Sequence, residues 1–399
     1  MRKIDFCGAI CTTTPVNLQQ LTLIADENRQ MNIAELKRQR SDRHVQRKRQ
    51  EPATLPGEVR QLIEEKCDGL VERVTCISSL WQGYGHVYRV GLHSGRSLVV
   101  KHIHVTGARD PKTATRLKSY DVEVSALGGL VRAGPMLPEL VGVYWASDGA
   151  MYICMSDLLS TCPLSTVRDE AASVVRNLAI FHAANVNSDV LEDLWTYGTF
   201  WALDKRQAEL EIMEGQWRNF LRECGDGHGL NKLLAKRLRI AAPAIFKRLT
   251  GVDSPLTPSM GRASSQNPRW TAVHGDCKSE NMLFGTKSMG VYDLQWSGGG
   301  LGVQDLVYYL HCNCEDVAEH EGTLTRLYLD TFVQSHPYPP TDFQYDFEVA
   351  LLDLVRFMLG FRMGLFFSDH LFTLQKADRI LLRADGGKVL SAVDYADHL

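Results

Sequence analysis

The sequence predicts an α+β fold in two lobes: a small lobe with an antiparallel sheet and one helix, and a large, mostly helical lobe. Three observations predict it. Residues 56–157 mix short apolar runs with turns and a single helical stretch. From 158 to 399 the apolar residues fall mostly at helical spacing. Two strand-and-turn units interrupt that helical region between residues 269 and 294. A chain of 399 residues with 44% apolar content has ample material for such a pair of cores.

Residues 1–55 are polar, with a basic run over 37–49, and hold too few apolar side chains to build a core. They read as a flexible, solvated extension, with a nuclear-import or polyanion contact as the sharper alternative. In the small lobe, Gly83-Tyr-Gly85 lies at a strand-to-strand turn. There, small residues would let backbone N–H groups approach phosphates; a plain hairpin turn is the bland alternative. The next apolar run, Ser97-Leu-Val-Val-Lys101-His-Ile103, encloses a lysine, which is rarely buried without a partner. Glu123 in the helical stretch 119–127 is its candidate partner, and Asp121 the rival. The strand Met151-Tyr-Ile-Cys-Met-Ser ends in Asp157. A helix then starts with Thr166 as N-cap and Asp169 at the third position, and carries His182 as a core residue. The Pro, Ser and Gly-rich stretch 249–268 reads as a loop.

That loop leads into the most informative segment, Arg269-Trp-Thr-Ala-Val-His274-Gly-Asp276-Cys-Lys-Ser-Glu-Asn281-Met-Leu-Phe, followed by Val291-Tyr-Asp293-Leu-Gln295-Trp. A short strand enters the His-Gly-Asp turn, and a hairpin sets Asn281 beside Asp293. An Asp, an Asn five residues on and a further Asp after a hairpin is what metal-assisted phosphoryl transfer requires. Asp276 would accept the proton of a hydroxyl nucleophile, while Asn281 and Asp293 would hold Mg²⁺ against the phosphates of ATP.

These motifs resemble the aminoglycoside phosphotransferase and choline kinase branch of the protein-kinase-like fold. The Asp-x-Gln ending and the downstream Gly302-Val-Gln-Asp305-Leu look most like the ecdysteroid-kinase-like family. The resemblance implies that Lys101 contacts the phosphates and Glu123 positions it, with Gly83 and Gly85 covering the nucleotide. It implies that the backbone at Asp157 is the hinge that holds adenine, that His182 belongs to a Leu-x-x-x-His-Ala helix, and that Asp305 braces the catalytic loop. In it, Gly275 replaces the arginine that pairs with a phosphorylated activation segment. Only eleven residues separate Asp293 from Asp305, too few for a long segment of that kind. The expectation is a kinase that phosphorylates a hydroxyl of a small molecule. A catalytically silent, kinase-shaped scaffold is the rival from another class, and a protein kinase the third reading.

Composition narrows the remaining choices. A net charge of −3 gives no nucleic-acid footprint over the whole chain. The most apolar region, 349–367, is interrupted by Asp353, Arg356 and Arg362, so no membrane span is expected. Ten scattered cysteines and no apolar signal core at the N-terminus point to a cytoplasmic, reduced protein. His311-Cys-Asn-Cys-Glu-Asp looks like a metal cluster, but its helical spacing sends the cysteines to different faces. Trp195, Tyr197, Trp201 and Trp217 are read either as a wall of the acceptor cleft or as core. The acceptor's identity and any partner protein are not legible.

Overall fold

A computed structural model describes residues 51–399 apart from 81–82, 105–110, 162–169, 225–228, 254–256, 264–266, 285–288 and 362–367. The extension over residues 1–50 and the helix start at Thr166 and Asp169 lie outside the described residues.

The chain first builds a six-stranded antiparallel sheet in the order β1-β2-β3-β4-β6-β5. Its strands are β1 (Glu51–Pro52), β2 (Val71–Ser79), β3 (Gly85–Leu92), β4 (Ser97–Ile103), β5 (Leu140–Trp145) and β6 (Met151–Ser156). The end of the predicted polar extension therefore belongs to the fold: Glu51 and Pro52 pair with Cys76 and Thr75, and Leu55 is buried.

Strand periodicity divides the lobe into two cores. Leu98 and Val100 of β4, with Tyr152 and Cys154 of β6, face α1 (Gly57–Cys67). Val99 and Ile103, with Met151, Ile153 and Met155, face the opposite side and α2 (Pro111–Gly129). Lys101 shares the parity of Val99 and Ile103, so the pleat sends it toward α2. Two helices thus flank the sheet where the sequence predicted one. The unforeseen α1 buries Val59, Ile63 and Cys67, a stripe at four-residue spacing, and stops at Asp68 in a left-handed conformation.

The second part is mostly helical. It contains α3 (Leu158–Thr161), α4 (Glu170–Ala184), α5 (Ala208–Cys224), α6 (Leu234–Thr250), α7 (Val303–Asn313), α8 (Val317–Phe332), α9 (Pro340–Phe361), α10 (His370–Asp385) and α11 (Ala392–His398). Helix α9 is buried along most of its length and packs on α5, α6 and α7. Its Asp353 and Arg356 pair with each other at 2.8 Å, which allows both charges inside. No helix among the described residues is long and apolar enough to cross a membrane.

Two small antiparallel pairs are set into the helices: β7 (Trp270–Val273) with β10 (Gly298–Leu301), and β8 (Met282–Phe284) with β9 (Met289–Val291). The architecture is α+β in two lobes, with these pairs at the junction of sheet and helices.

Candidate active site

The sheet contributes a buried lysine. Lys101 Nζ donates to both Glu123 carboxylate oxygens at 2.6 and 2.8 Å, and to Asp293 Oδ1 at 2.9 Å. Asp121 is not its partner. Burial alone would pull the Lys101 pKa down, but the carboxylates of Asp293 and Glu123 lift it well above the usual lysine range. Burial raises Glu123, against the pull of Lys101. Burial would raise Asp293, but the attraction and hydrogen bond of Lys101, with the pulls of Lys278 and His274, together lower it.

The turn after β7 carries Asp276. Gly275 has φ +82°, and a Cβ there would lie 2.0 Å from the Trp296 carbonyl oxygen. A side chain at this position is excluded by both conformation and space, which gives the His-Gly-Asp glycine a local cause. Asp305 holds the turn by accepting from the backbone N–H of His274 at 2.6 Å and of Gly275 at 3.0 Å. His182 Nε2 lies 3.1 Å from the same carboxylate, and its Nδ1 lies 2.8 Å from the Tyr328 hydroxyl. His274 ties the turn to the neighbouring hairpin. Its Nδ1 accepts from the Asp276 N–H at 3.2 Å, which leaves Nε2 to donate to Tyr292 O at 3.0 Å.

Asp276 itself is buried, at 5% exposure. Oδ2 accepts from Lys278 Nζ at 2.6 Å and from Asn281 Nδ2 at 3.0 Å. Oδ1 is buried with no hydrogen-bond partner among the described residues. Burial raises the Asp276 pKa, partly offset by Lys278. A poised carboxylate with one oxygen unfilled suits a proton acceptor.

Register then brings Asn281 and Asp293 together. Met282 pairs with Val291, and the Tyr292 N–H donates to Asn281 O at 3.0 Å. The strand predicted to run on through Leu294 stops at Val291 instead, since Asp293 adopts φ +66°. Asn281 donates both its side-chain hydrogen bonds through Nδ2, to Asp276 O and Oδ2. Its Oδ1 has no hydrogen bond among the described residues. Asp293, a third exposed, carries an oxygen beyond the one held by Lys101. Two hard oxygen donors side by side fit a Mg²⁺ ion, which takes few protein ligands and keeps waters.

Other predicted residues behave differently. The Gly85 requirement comes from the sheet: φ is +143°, and a Cβ would lie 1.9 Å from the His102 carbonyl oxygen across the β3–β4 pairing. Gly83, at φ +75°, has open space beside it. Asp157, at the link from β6 to α3, has a side chain that ties strands together. Its Oδ2 accepts from Arg89 Nε at 2.7 Å and Ser97 Oγ at 2.9 Å, while Oδ1 accepts from the Leu159 N–H. Its backbone oxygen accepts from Ser160 and its N–H lies 3.4 Å from Ser97 O.

Trp195, Tyr197, Trp201 and Trp217 are all buried and form core, not cleft wall. Three residues near the catalytic turn escaped sequence reasoning. Lys278 has an identifiable signal, a cation two residues after Asp276. Gln295 Oε1 accepts from Ser119 Oγ of α2 at 3.4 Å, close to Glu123 and Tyr120. Arg206, in the loop before α5, has no local signal at all.

With this geometry in place, the ecdysteroid kinase-like family model matches residues 165–336. No curated protein sequence matches the chain. Among solved structures, the chain is similar to a putative fructosamine-3-kinase from Thermobifida fusca YX-ER1 at 16% identity, over 82% of this chain and 100% of that one, with a TM-score of 0.48. A putative aminoglycoside phosphotransferase from Ralstonia eutropha JMP134 is 12% identical over 85% and 97% of the two chains, with a TM-score of 0.44. Spectinomycin phosphotransferase, solved with ADP and spectinomycin, is 9% identical over 87% and 99%, with a TM-score of 0.44. The matched segment contains Asp276, Asn281, Asp293, Gln295 and Asp305 and leaves out Lys101 and Glu123, so the likeness to the ecdysteroid kinase-like family lies over the helical side of the site.

Proposed function

We propose that this protein transfers the terminal phosphate of ATP to a hydroxyl of a small molecule. One observation carries the reading. Asp276, with its buried Oδ1 unfilled, is bonded through Oδ2 to Asn281, and the Tyr292 N–H bond to Asn281 O brings Asp293, paired with Lys101 and Glu123, alongside. In this reading Asp276 accepts the acceptor hydroxyl's proton, and its raised pKa keeps it basic enough to do so. Lys101, fixed by Glu123, presents its ammonium to the nucleotide phosphates. Asn281 Oδ1 and Asp293 would hold Mg²⁺, which when bound neutralises charge on those phosphates. Lys278, beside Asp276 and about a third exposed, is placed to meet charge that develops on the transferred group. The short link between Asp293 and Asp305 favours a small acceptor over a protein. Gly83 and Gly85 remain proposed cover for the nucleotide.

The experiment is an acceptor screen over amino alcohols, sterols, sugars and hydroxy acids with Mg²⁺-ATP, repeated with Asp276→Ala. Turnover should fall by roughly 10²–10⁴-fold in the variant, the contribution of a general base, with nucleotide affinity nearly unchanged. Near-normal turnover in a pure Asp276→Ala preparation would remove Asp276 from the role.

A further inference from the structure

We propose, resting on the phosphotransferase reading, that the acceptor is an alcohol bearing an oxyanion, a carboxylate or a phosphate monoester, and that Arg206 binds that group. Arg206 stands at the wall of the site. Its Nε donates to Phe200 O at 2.7 Å, and the Phe200 N–H donates to Gly275 O at 3.0 Å. The guanidinium is thereby tied through two hydrogen bonds to the residue preceding Asp276. Its Cζ lies 5.7 Å from the ring centroids of Phe200 and Phe357 and 6.0 Å from that of Trp296. Phe200 and Trp296 are themselves only partly buried, unlike the four aromatic residues first considered for this wall.

What distinguishes Arg206 is the state of its fork. A structural arginine in this protein, Arg237, has its guanidinium filled: Nε and Nη2 donate to Asp385 at 2.7 Å each, and Nη1 pairs with Asp378. The terminal nitrogens of Arg206 meet one carboxylate among the described residues, Glu209, and that at 3.8 Å. The side chain is 27% exposed, and burial lowers its pKa, so the charge is poorly solvated and loosely paired. An oxyanion offers the bidentate partner that this fork does not find among the described residues.

Two further cations stand near the site. Arg116 of α2, whose Nη1 donates to the Tyr84 hydroxyl at 2.5 Å, is close enough for its charge to bear on Arg206. Lys278 lies beside Asp276. Against these three cations stand Asp276, whose charge also reaches Arg206, together with Glu209 and the exposed Glu280. A polycationic acceptor would meet Arg116, Arg206 and Lys278 around the base. An anionic one would pair with the Arg206 fork and be held with its hydroxyl toward Asp276.

The test uses the full chain with matched probes: glycerol, glycerate, glycerol 3-phosphate and choline. Binding is read by tryptophan fluorescence and calorimetry, with and without Mg²⁺-ADP. At least one of the two anions should bind about tenfold or more tightly than glycerol, the scale of a charge-assisted hydrogen bond, and choline should not be preferred. Which anion binds better separates carboxylate from phosphate. Arg206→Gln should abolish the preference, and Arg206→Lys should keep part of it, because charge remains and the fork is lost. If Arg206→Gln fails to fold, Arg206→Lys and the salt dependence of the wild type decide. A preference for choline, equal binding of all four probes, or an anion preference that persists in a folded Arg206→Gln overturns the proposal. Binding of Mg²⁺-ADP is a separate readout: its absence sinks the phosphotransferase reading without bearing on the anion preference.

Discussion

Asp276 and Lys278 form a pair in which one member needs to lose a proton and the other must keep one. The Lys278 ammonium, 2.6 Å from Oδ2, holds down a carboxyl pKa that burial pushes up. Since the base must be ionised, the rate should fall as pH drops through the raised Asp276 value, above the ordinary 3.8. Lys278→Met removes the opposing charge, so the acid limb of the kcat/KM profile should move to higher pH. A limb that stays in place in the variant would mean that another group sets it. Residue-scale chemistry was legible where one local pattern sufficed. Lys101 stood out as a lone cation in an apolar strand, and β parity aims it at Glu123. Arg206 and Gln295 were not legible, because their partners lie on elements distant in sequence and only tertiary placement gives them meaning.

At the scale of elements, Asp305 converts helix α7 into a brace for the catalytic turn. It accepts two backbone N–H groups and faces His182 inside the core, with no exposed surface. Burial alone would raise its pKa, but the bonds from His182 and the backbone lower it below the ordinary 3.8. The sign follows: its contribution to stability is complete above the unfolded value and is lost as pH falls through the depressed folded one. Asp305→Asn keeps the shape but turns an N–H₂ toward at least one buried donor. The expected cost is about 1–3 kcal/mol at neutral pH for a buried group left unsatisfied. Urea unfolding should show this gap and show it shrinking toward pH 3; a constant gap would exclude an ionised Asp305 as its source. The sequence placed α7 near Val303 and the strand entering His274, since both carry the right period. It did not place β10, whose Gly298-Gly-Gly run has no strand propensity and is set by packing against Trp195 and Trp270. Helix α1 was missed because its stripe of three buried residues is short and lies in a charged segment.

The whole molecule is coupled through the site. Lys101 reaches from the sheet to Asp293 on the helical side, and Gln295 reaches from the same hairpin end to α2. Lys101 and Gln295 therefore join the lobes at the place where nucleotide and metal are proposed to bind. A ligand that bridges them should stabilise both. Linkage sets the size: at a concentration 100 times Kd, Mg²⁺-ATP should add roughly 2.7 kcal/mol, read as a rise in Tm. The metal part of that rise depends on Asp293, since Asn281 alone offers one neutral oxygen. Asp293→Asn withdraws the charged ligand while leaving Lys101 on Glu123, so the fold should persist. In the variant, ATP should raise Tm equally with and without Mg²⁺, whereas in the wild type Mg²⁺ should enlarge the shift. An unchanged Mg²⁺ effect in Asp293→Asn would place the metal elsewhere. A wild-type Tm indifferent to millimolar Mg²⁺-ATP would instead favour a kinase-shaped scaffold, in which the Lys101 bridge is a structural clasp between lobes.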